Sequence, residues 1–302
     1  MFLHEDKEIF ADIIREVNIR TGIPSNIIEK DYYVTMILYL LASKEPGIVF
    51  KGGTSLSKCY KLIDRFSEDI DITFTEHIGE GRRKKLKYNV IQPVSELLHM
   101  PISNWNFTES DKDYNCYKFD YTSVLDDVSE VGIIPPTIKV ETALVSYAFP
   151  TEICQISSII YDTLKDDLTD IINNYELSPF NMQVQSVIRT FIDKIFALCD
   201  YYIQNKSKRY SRHLYDVCKL YPNIKINESF IGMLEQVREH RSHLSICPSA
   251  QKNIDIKALI YEYLDNDFYK SDYESVTATL IADNVKYETA KETLKMIADK
   301  LF

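Results

Sequence analysis

Apolar residues in the first part of the chain repeat at helical spacing and then at strand spacing. Residues 5–19 carry apolar side chains three or four positions apart, which predicts a helix. A second helix is predicted from Ser25, which suits an N-cap, to about Ala42. The apolar run 47–51 enters a Gly-Gly pair and predicts a strand followed by a turn.

The mixture of helices and strands continues for about half of the chain. Residues 54–62 predict a short helix, and residues 69–74 alternate between polar and apolar side chains as strands do. Residues 81–99 predict another helix, whose first turns are strongly basic. Two further alternating segments, 117–121 and 137–144, predict more strands.

The second half of the chain has an almost entirely helical pattern. The strongest amphipathic helix is predicted over 184–202, and others follow near 209–221, 227–243, 255–264, 271–282 and 287–301. The expected fold class is therefore α+β. Residues 1–155 should form a domain with a mixed, mostly antiparallel β-sheet flanked by helices, and residues 156–302 should form an all-α C-terminal domain.

Composition and charge exclude several classes of protein. The 302 residues include 35 Lys and Arg against 45 Asp and Glu, so the formal net charge of −10 gives no overall positive field for nucleic acid. No run approaches about 18 apolar residues and the N-terminus lacks the pattern of a signal peptide, so we expect a cytoplasmic protein without membrane contact. Six widely spaced cysteines, with no Cys-x-x-Cys pair, favour reduced thiols over disulfides or a zinc site.

A Gly-Gly pair marks the first candidate site. Gly52 and Gly53 stand between a predicted strand and a predicted helix, where backbone N–H groups can approach an anion closely. Thr54 and Ser55 follow directly and add two hydroxyls. The segment therefore predicts a phosphate-binding turn.

Three carboxylates mark the second candidate site. Asp69 and Asp71 are two positions apart on a predicted strand, so both side chains should point to the same face. Neighbouring carboxylates repel each other unless a cation lies between them, and Mg²⁺ takes carboxylate and phosphate oxygens. Glu141, on a later alternating segment, is the candidate for a third ligand.

Five segments together resemble the nucleotidyltransferase toxins of the AbiEii/AbiGii group, members of the DNA polymerase β-like nucleotidyltransferase superfamily. They are Glu29–Thr35, Phe50–Lys58, Arg65–Ile72, Phe191–Leu198 and Arg209–Val217. The segments follow the family's order and span about residues 23 to 221.

The resemblance implies a nucleotidyltransferase that is the toxin of a toxin–antitoxin or phage-defence pair, with a cognate antitoxin. The turn from Gly52 to Ser55 would hold the β- and γ-phosphates of an NTP, and Asp69 and Asp71 would bind Mg²⁺ or Mn²⁺. Glu141 would assist at the metal nearer the acceptor and could accept the proton of the attacking hydroxyl. Because some members of the family add nucleotides to the 3′ end of tRNA, the resemblance makes tRNA the expected acceptor of the transferred NMP.

The resemblance also assigns roles in the helical half of the chain. Lys194 would be a catalytic residue and a phosphate ligand. Asp216 would pair with Lys194 and fix its position, or would be bonded only to Arg212. Many relatives read Lys-Asp-x-x-Asp in the last motif, whereas this chain has His213 in place of the first acid.

Two basic clusters are candidate contacts for nucleic acid, although a solvated helix face is the alternative for each. Their candidate residues are Arg82, Arg83 and Lys84 in the first cluster and Lys208, Arg209 and Arg212 in the second. Two other functions remain open. One is NMP transfer to a protein hydroxyl, which the acidic composition favours, and the other is nucleotide binding without turnover.

Overall fold

A six-stranded mixed sheet organises the N-terminal part of the chain. The computed structural model describes residues 1–65, 67–109, 112–125 and 135–302. The strands are β1 (Val49–Lys51), β2 (Ile70–Thr73), β3 (Tyr114–Asp120), β4 (Thr137–Ala143), β5 (Thr151–Ile156) and β6 (Phe180–Gln185). Their order across the sheet is β3-β4-β2-β1-β6-β5.

The directions of the strands confirm a mixed sheet. β1 pairs with β2 and β3 with β4 in antiparallel fashion, while β1 pairs with β6 and β2 with β4 in parallel. Two of these four pairs are antiparallel and two are parallel, so the predicted mixed sheet is present. Parallel neighbours need crossover connections, which the intervening helices supply.

Alternation along the central strands separates an apolar face from a polar one. Ile70 and Ile72 on β2 and Ile138 and Val140 on β4 are fully buried. Because successive side chains of a strand point to opposite faces, the residues between them lie on the other face of the sheet. The polar face therefore carries the candidate carboxylates.

Seven α-helices and one π-helical segment accompany the described part of this sheet, most of them short. They are α1 (Lys7–Thr21), α2 (Ser25–Lys44), α3 (Gly52–Lys58), α4 (Glu80–Lys85), α5 (Gln92–Leu97), α6 (Ile159–Leu164), α7 (Thr169–Asn174) and a π-helical segment (Leu86–Ile91) between α4 and α5. α1 ends at Gly22, whose φ of 71° is left-handed and favours glycine. α2 buries most of its length and contacts β4.

The C-terminal part is helical, as predicted. It contains α8 (Val187–Ile203), α9 (Arg212–Leu220), α10 (Glu228–Ser242), α11 (Ile256–Asp265), α12 (Lys270–Asp272), a π-helical segment (Tyr273–Thr277), α13 (Ala278–Leu280) and α14 (Tyr287–Leu301). The Ser186 side chain caps α8 by accepting a hydrogen bond from the backbone N–H of Arg189. α9 packs against both α8 and α14, and α8 buries a continuous apolar stripe. None of the described helices is long and apolar enough to cross a membrane.

The chain divides into two compact units whose limits differ from the predicted domains 1–155 and 156–302. The first unit comprises Met1–Cys59 and Glu68–Val184, and the second comprises Tyr60–Ser67 and Gln185–Phe302. The first unit extends past residue 155 because β6 pairs with β1 in the sheet. The segment 60–67 belongs to the second unit because its residues bond to that unit, as the backbone N–H of Asp64 does to the Tyr215 hydroxyl.

Candidate active site

Three carboxylates meet on the polar face of the sheet in the first unit. Asp71 on β2 lies opposite Glu141 on the parallel neighbour β4. Burial raises the pKa of Glu141 above its ordinary value, and the charges of Asp71 and then Asp69 raise it further. A hydrogen bond from Tyr114 acts in the opposite direction. The structure thus brings Asp69, Asp71 and Glu141 into one electrostatic environment.

This carboxylate group fits a hard divalent cation. The Oδ1 atom of Asp69 is buried and accepts no hydrogen bond, although the Lys139 ammonium lies 3.6 Å away. Across the described residues, no group of three or more His, Cys, Asp or Glu side chains is arranged to hold a metal ion by itself, so the three carboxylates would need oxygen atoms of water or substrate to complete a metal site. Mg²⁺ usually keeps water and substrate phosphate among its ligands, so an open group of oxygen donors suits it.

Gly52 brings the backbone of the Gly-Gly turn against the carboxylates. Its φ of 82° is left-handed, and a Cβ atom built on it would lie 2.0 Å from Oδ2 of Asp71. Only glycine meets both conditions, because other residues are strained at this φ and would collide with the carboxylate. The turn and the carboxylates are therefore parts of one site.

The hydroxyls of Thr54 and Ser55 both donate to backbone oxygens of the protein itself. Thr54 Oγ1 donates to the backbone oxygen of Asp69 at 2.6 Å, and Ser55 Oγ donates to that of Gly52 at 2.9 Å. Both side chains are buried, whereas Gly52 and Gly53 are partly exposed. The hydrogen bond from Thr54 connects the start of α3 to Asp69, the first residue of the Asp69 and Asp71 pair. In this arrangement the glycine backbone, and not the two hydroxyls, is the accessible part of the turn.

Replacing Gly52 with alanine should disable the site. The methyl group would strain the left-handed backbone by about 1–2 kcal/mol and displace the Asp71 carboxylate. A displacement of about 1 Å near a reacting centre can cost about 10²-fold in rate, so we expect at least that loss in nucleotide transfer. Gly81→Ala is the matched control, because its Cβ meets no atom within 4 Å. Equal transfer rates and melting temperatures for the two variants would contradict this assignment.

Residues Glu29–Asp31 bond to segments around the carboxylates and support them, a role that the sequence did not reveal. Lys30 is fully buried and forms an ion pair with Glu68, directly before Asp69. Asp31 accepts a hydrogen bond from Lys58, at the end of α3, at 2.5 Å. Glu29 accepts two bonds from the loop that follows β3. Each of these partners is distant in sequence, so only the run of charges within a predicted core helix could have signalled the role.

The second unit contains a buried charge cluster around Asp216. Arg65 donates to both oxygens of Asp216, at 2.6 and 2.8 Å, and Lys194 donates to Oδ2 at 2.7 Å. Although burial acts to raise the pKa of Asp216, Arg65 and Lys194 together hold it well below its usual range. Burial lowers the pKa of Lys194, and Asp216 opposes that effect. Of the two alternatives for Asp216, the structure shows the pair with Lys194, and it adds Arg65 as a second partner.

The two basic clusters differ in how they are neutralised. Arg82 pairs with Glu76, Arg83 with Asp113 and Lys84 with Glu80, at distances of 2.6, 2.7 and 2.6 Å. By contrast, Lys208 and Arg209 are exposed and Arg212 is half-buried. Within the described residues, no ion pair joins these three to a carboxylate. The second cluster therefore keeps its positive charge.

Comparisons with known proteins bear on the fold and the family of the chain. No curated protein shows significant sequence similarity to the chain. The fold is similar to that of MenT4, a nucleotidyltransferase toxin from Mycobacterium tuberculosis H37Rv, with a TM-score of 0.51 and 16% identity over 97% of this chain and 89% of that one. At this identity the likeness shows the fold alone.

The model of one protein family covers most of the chain. It is described as the nucleotidyl transferase AbiEii toxin of type IV toxin–antitoxin systems, and it matches residues 37–298. This region contains both the carboxylate site and the Asp216 cluster, while the resembling segment Glu29–Thr35 lies before it. The chain therefore belongs to the AbiEii family of nucleotidyltransferase toxins.

Proposed function

We propose that this toxin transfers an NMP from an NTP to the 3′ end of a tRNA in the cytoplasm, in a reaction that requires Mg²⁺ or Mn²⁺. The observation that carries the proposal is the contact of Gly52 with Asp71, which itself lies opposite Glu141. A turn suited to phosphate and a group of carboxylates suited to metal are thereby joined. A protein that only bound nucleotide would have little need for three converging carboxylates.

The three carboxylates would have different roles in the reaction. Asp69 and Asp71 would hold the metal, with Glu141 assisting, and a bound divalent cation would neutralise charge that develops on the phosphates. The acceptor hydroxyl oxygen forms a bond to the α-phosphorus, the bond to the β-phosphate oxygen breaks, and pyrophosphate leaves. Glu141, whose pKa is raised by burial and by its neighbours, would accept the hydroxyl proton.

The Asp216 cluster would supply a cation for the nucleotide. Lys194 is held by Asp216 at 2.7 Å, so its ammonium has a fixed position although it is buried. An ammonium is a compact charge that suits phosphate oxygens. We therefore propose Lys194 as a phosphate ligand and Asp216 as the residue that positions it.

RNA binding should depend on the second basic cluster more than on the first. Substituting alanine for both Lys208 and Arg209 should weaken tRNA binding about tenfold and reduce the salt slope of the affinity by about two. The matched control is the double substitution of Arg82 and Lys84, whose charges Glu76 and Glu80 already neutralise. The measurement is the dissociation constant at several salt concentrations. Equal losses in the two double variants would contradict the prediction.

The function is tested with purified protein, Mg²⁺, each α-³²P-labelled NTP and total tRNA, resolved on a denaturing gel. Asp69→Asn serves as the inactive control. Label in tRNA with the wild type, and not with the variant, supports the proposal and identifies the preferred base. Label in protein instead would mean that the acceptor is a protein hydroxyl, and the assignment of the active site would still hold. NTP binding with no labelled product would favour a nucleotide-binding module.

A further inference from the structure

The strand β3 extends the polar face of the sheet beyond the carboxylates. Cys116 on β3 lies directly opposite Glu141 on β4. Because side chains two positions apart on a strand share a face, Tyr114 and Lys118 lie on this face too. The Tyr114 ring is 53% exposed and Lys118 is exposed, whereas the alternate residues of β3 are buried. β3 therefore presents an aromatic ring and an ammonium group, one on either side of the position that faces Glu141.

Two lysines face each other where β3 pairs with β4. Lys118 lies directly opposite Lys139, which brings their Cβ atoms to within about 4.5–5.5 Å, and like charges in this position destabilise a sheet. The Lys139 ammonium is 3.6 Å from Oδ1 of Asp69. Within the described residues, no ion pair joins Lys118 to a carboxylate. An anion bound between the two ammonium groups would relieve their repulsion.

Protection of a sheet edge does not account for this pair. A lysine on an edge strand can prevent pairing with other chains, and β3 is at one edge of the described sheet. Lys139, however, is on β4, which has β3 on one side and β2 on the other. The second lysine therefore needs another explanation, and an anion from a substrate provides one.

The order of the strands puts the lysine pair and the turn at Gly52 on opposite sides of the carboxylates. The turn follows β1, Asp71 is on β2, Glu141 is on β4, and β3 lies beyond them. In an in-line displacement the attacking and leaving oxygens are on opposite sides of the phosphorus. Since the turn is the site that we propose for the leaving phosphates, the attacking hydroxyl should approach from the side of β3 and β4.

We propose that β3 and β4 bind the 3′-terminal nucleotides of an RNA acceptor, with a phosphodiester between Lys118 and Lys139 and a base stacked on Tyr114. Ammonium groups suit phosphate oxygens, and an aromatic ring stacks on any base. The free hydroxyl of the same RNA end would lie at Glu141, between these two contacts. A protein hydroxyl offers neither a phosphate nor a base. The inference rests on the proposed function and deepens it by naming the residues that recognise the acceptor.

Replacing the lysine tests the phosphate contact. Lys118→Gln should raise the KM for tRNA about fivefold, with changes of less than about twofold in kcat and in the KM for the NTP. It should also reduce the slope of log Kd against log salt concentration by about 0.7, because one phosphate contact to a single strand is lost. Lys165→Gln is the matched control, since Lys165 is exposed and follows α6, away from the sheet face.

Two substitutions of Tyr114 test the stacking contact. Both phenylalanine and leucine lack the hydroxyl that bonds to Glu141, so any difference between the two variants comes from the ring. Tyr114→Leu should have a KM for tRNA about tenfold above that of Tyr114→Phe, because only phenylalanine can stack on a base. Tyr88→Leu is the matched control, since Tyr88 is 49% exposed and lies on the π-helical segment.

Modified RNA tests the same contacts on the wild-type protein, so the test does not depend on the folding of a variant. The probe is an oligonucleotide with the 3′ sequence of the labelled tRNA, and its Kd is measured in Mg²⁺ without NTP. Neutral methylphosphonates at the last two phosphodiesters should weaken binding to wild type more than binding to Lys118→Gln. An abasic 3′-terminal nucleotide should raise the wild-type Kd about tenfold and that of Tyr114→Leu less than about twofold.

The outcomes distinguish this inference from the proposed function. If wild type labels tRNA but Lys118→Gln and Tyr114→Leu match their controls, the acceptor does not bind at β3 and the proposed function stands. If Lys118→Gln raises the KM for the NTP and not that for tRNA, the lysine pair binds the triphosphate and the inference is wrong. If wild type labels a protein instead of RNA, both the inference and the proposed acceptor are wrong.

Discussion

Replacing Asp71 with asparagine should abolish nucleotide transfer, with a rate loss of at least about 10³-fold, while the fold is retained. Asp71 lies against the turn at Gly52 and opposite Glu141, so its carboxylate joins the two parts of the site. The amide has nearly the shape of the carboxylate and can remain against the Gly52 backbone. It lacks the charge that a divalent cation requires.

The same substitution should leave the metal-free protein at least as stable as the wild type. Ionised Asp71 is one cause of the raised pKa of Glu141, after burial. An acid with a raised pKa in the folded state reduces stability as the pH rises from the unfolded pKa, near 4.5, to the folded one. Removing the charge of Asp71 should lessen this loss. Urea unfolding in EDTA between about pH 4 and 7 should therefore show a flatter decline for Asp71→Asn.

Asp12→Asn is the control for both measurements. Asp12 lies on α1, is 73% exposed and pairs only with Arg15 among the described residues. It should leave the transfer rate and the pH dependence of stability unchanged. An Asp71→Asn protein that still transfers nucleotide at more than about a tenth of the wild-type rate would exclude the carboxylate site as the centre of catalysis.

The carboxylate site could be predicted because its residues obey local rules. The period of two on β2 and β4 fixes the face on which Asp71 and Glu141 lie, and alternation is visible in the sequence. Their lateral pairing was a further assumption, which the parallel register confirms. The left-handed backbone at Gly52 also agrees with the turn expected from a Gly-Gly pair between a strand and a helix.

Contacts between distant segments could not be predicted in this way. Arg65 and Asp216 are 151 residues apart, and nothing local distinguishes their buried pair from two solvated charges. The strand β6 was missed because its apolar Met182 and Val184 directly precede α8 and continue the helical pattern. Its pairing with β1 decides its conformation, and that pairing is a long-range event. The inward direction of the Thr54 and Ser55 hydroxyls has the same origin, since their acceptors are set by the folded backbone.

The largest loss of stability is expected from Asp216→Ala. The substitution leaves Arg65 and Lys194 buried without their shared counter-charge, and breaking a buried pair in this way typically costs about 3–5 kcal/mol. Adding Lys194→Met to Asp216→Ala should recover part of that loss, because one of the two buried cations that lose Asp216 is then removed. The measurement is the free energy of unfolding in urea, with circular dichroism as the probe.

The pH dependence of this loss identifies its cause. The pKa of Asp216 is held well below the ordinary 3.8, so its contribution to stability is complete above about pH 5 and declines as the pH falls below its unfolded pKa. The difference between wild type and Asp216→Ala should therefore be largest near neutral pH and shrink in acid. A substitution of the exposed pair partner Asp265 should change stability little at any pH. If the difference in stability between wild type and Asp216→Ala did not depend on pH, the loss would come from lost packing and not from the charge of Asp216.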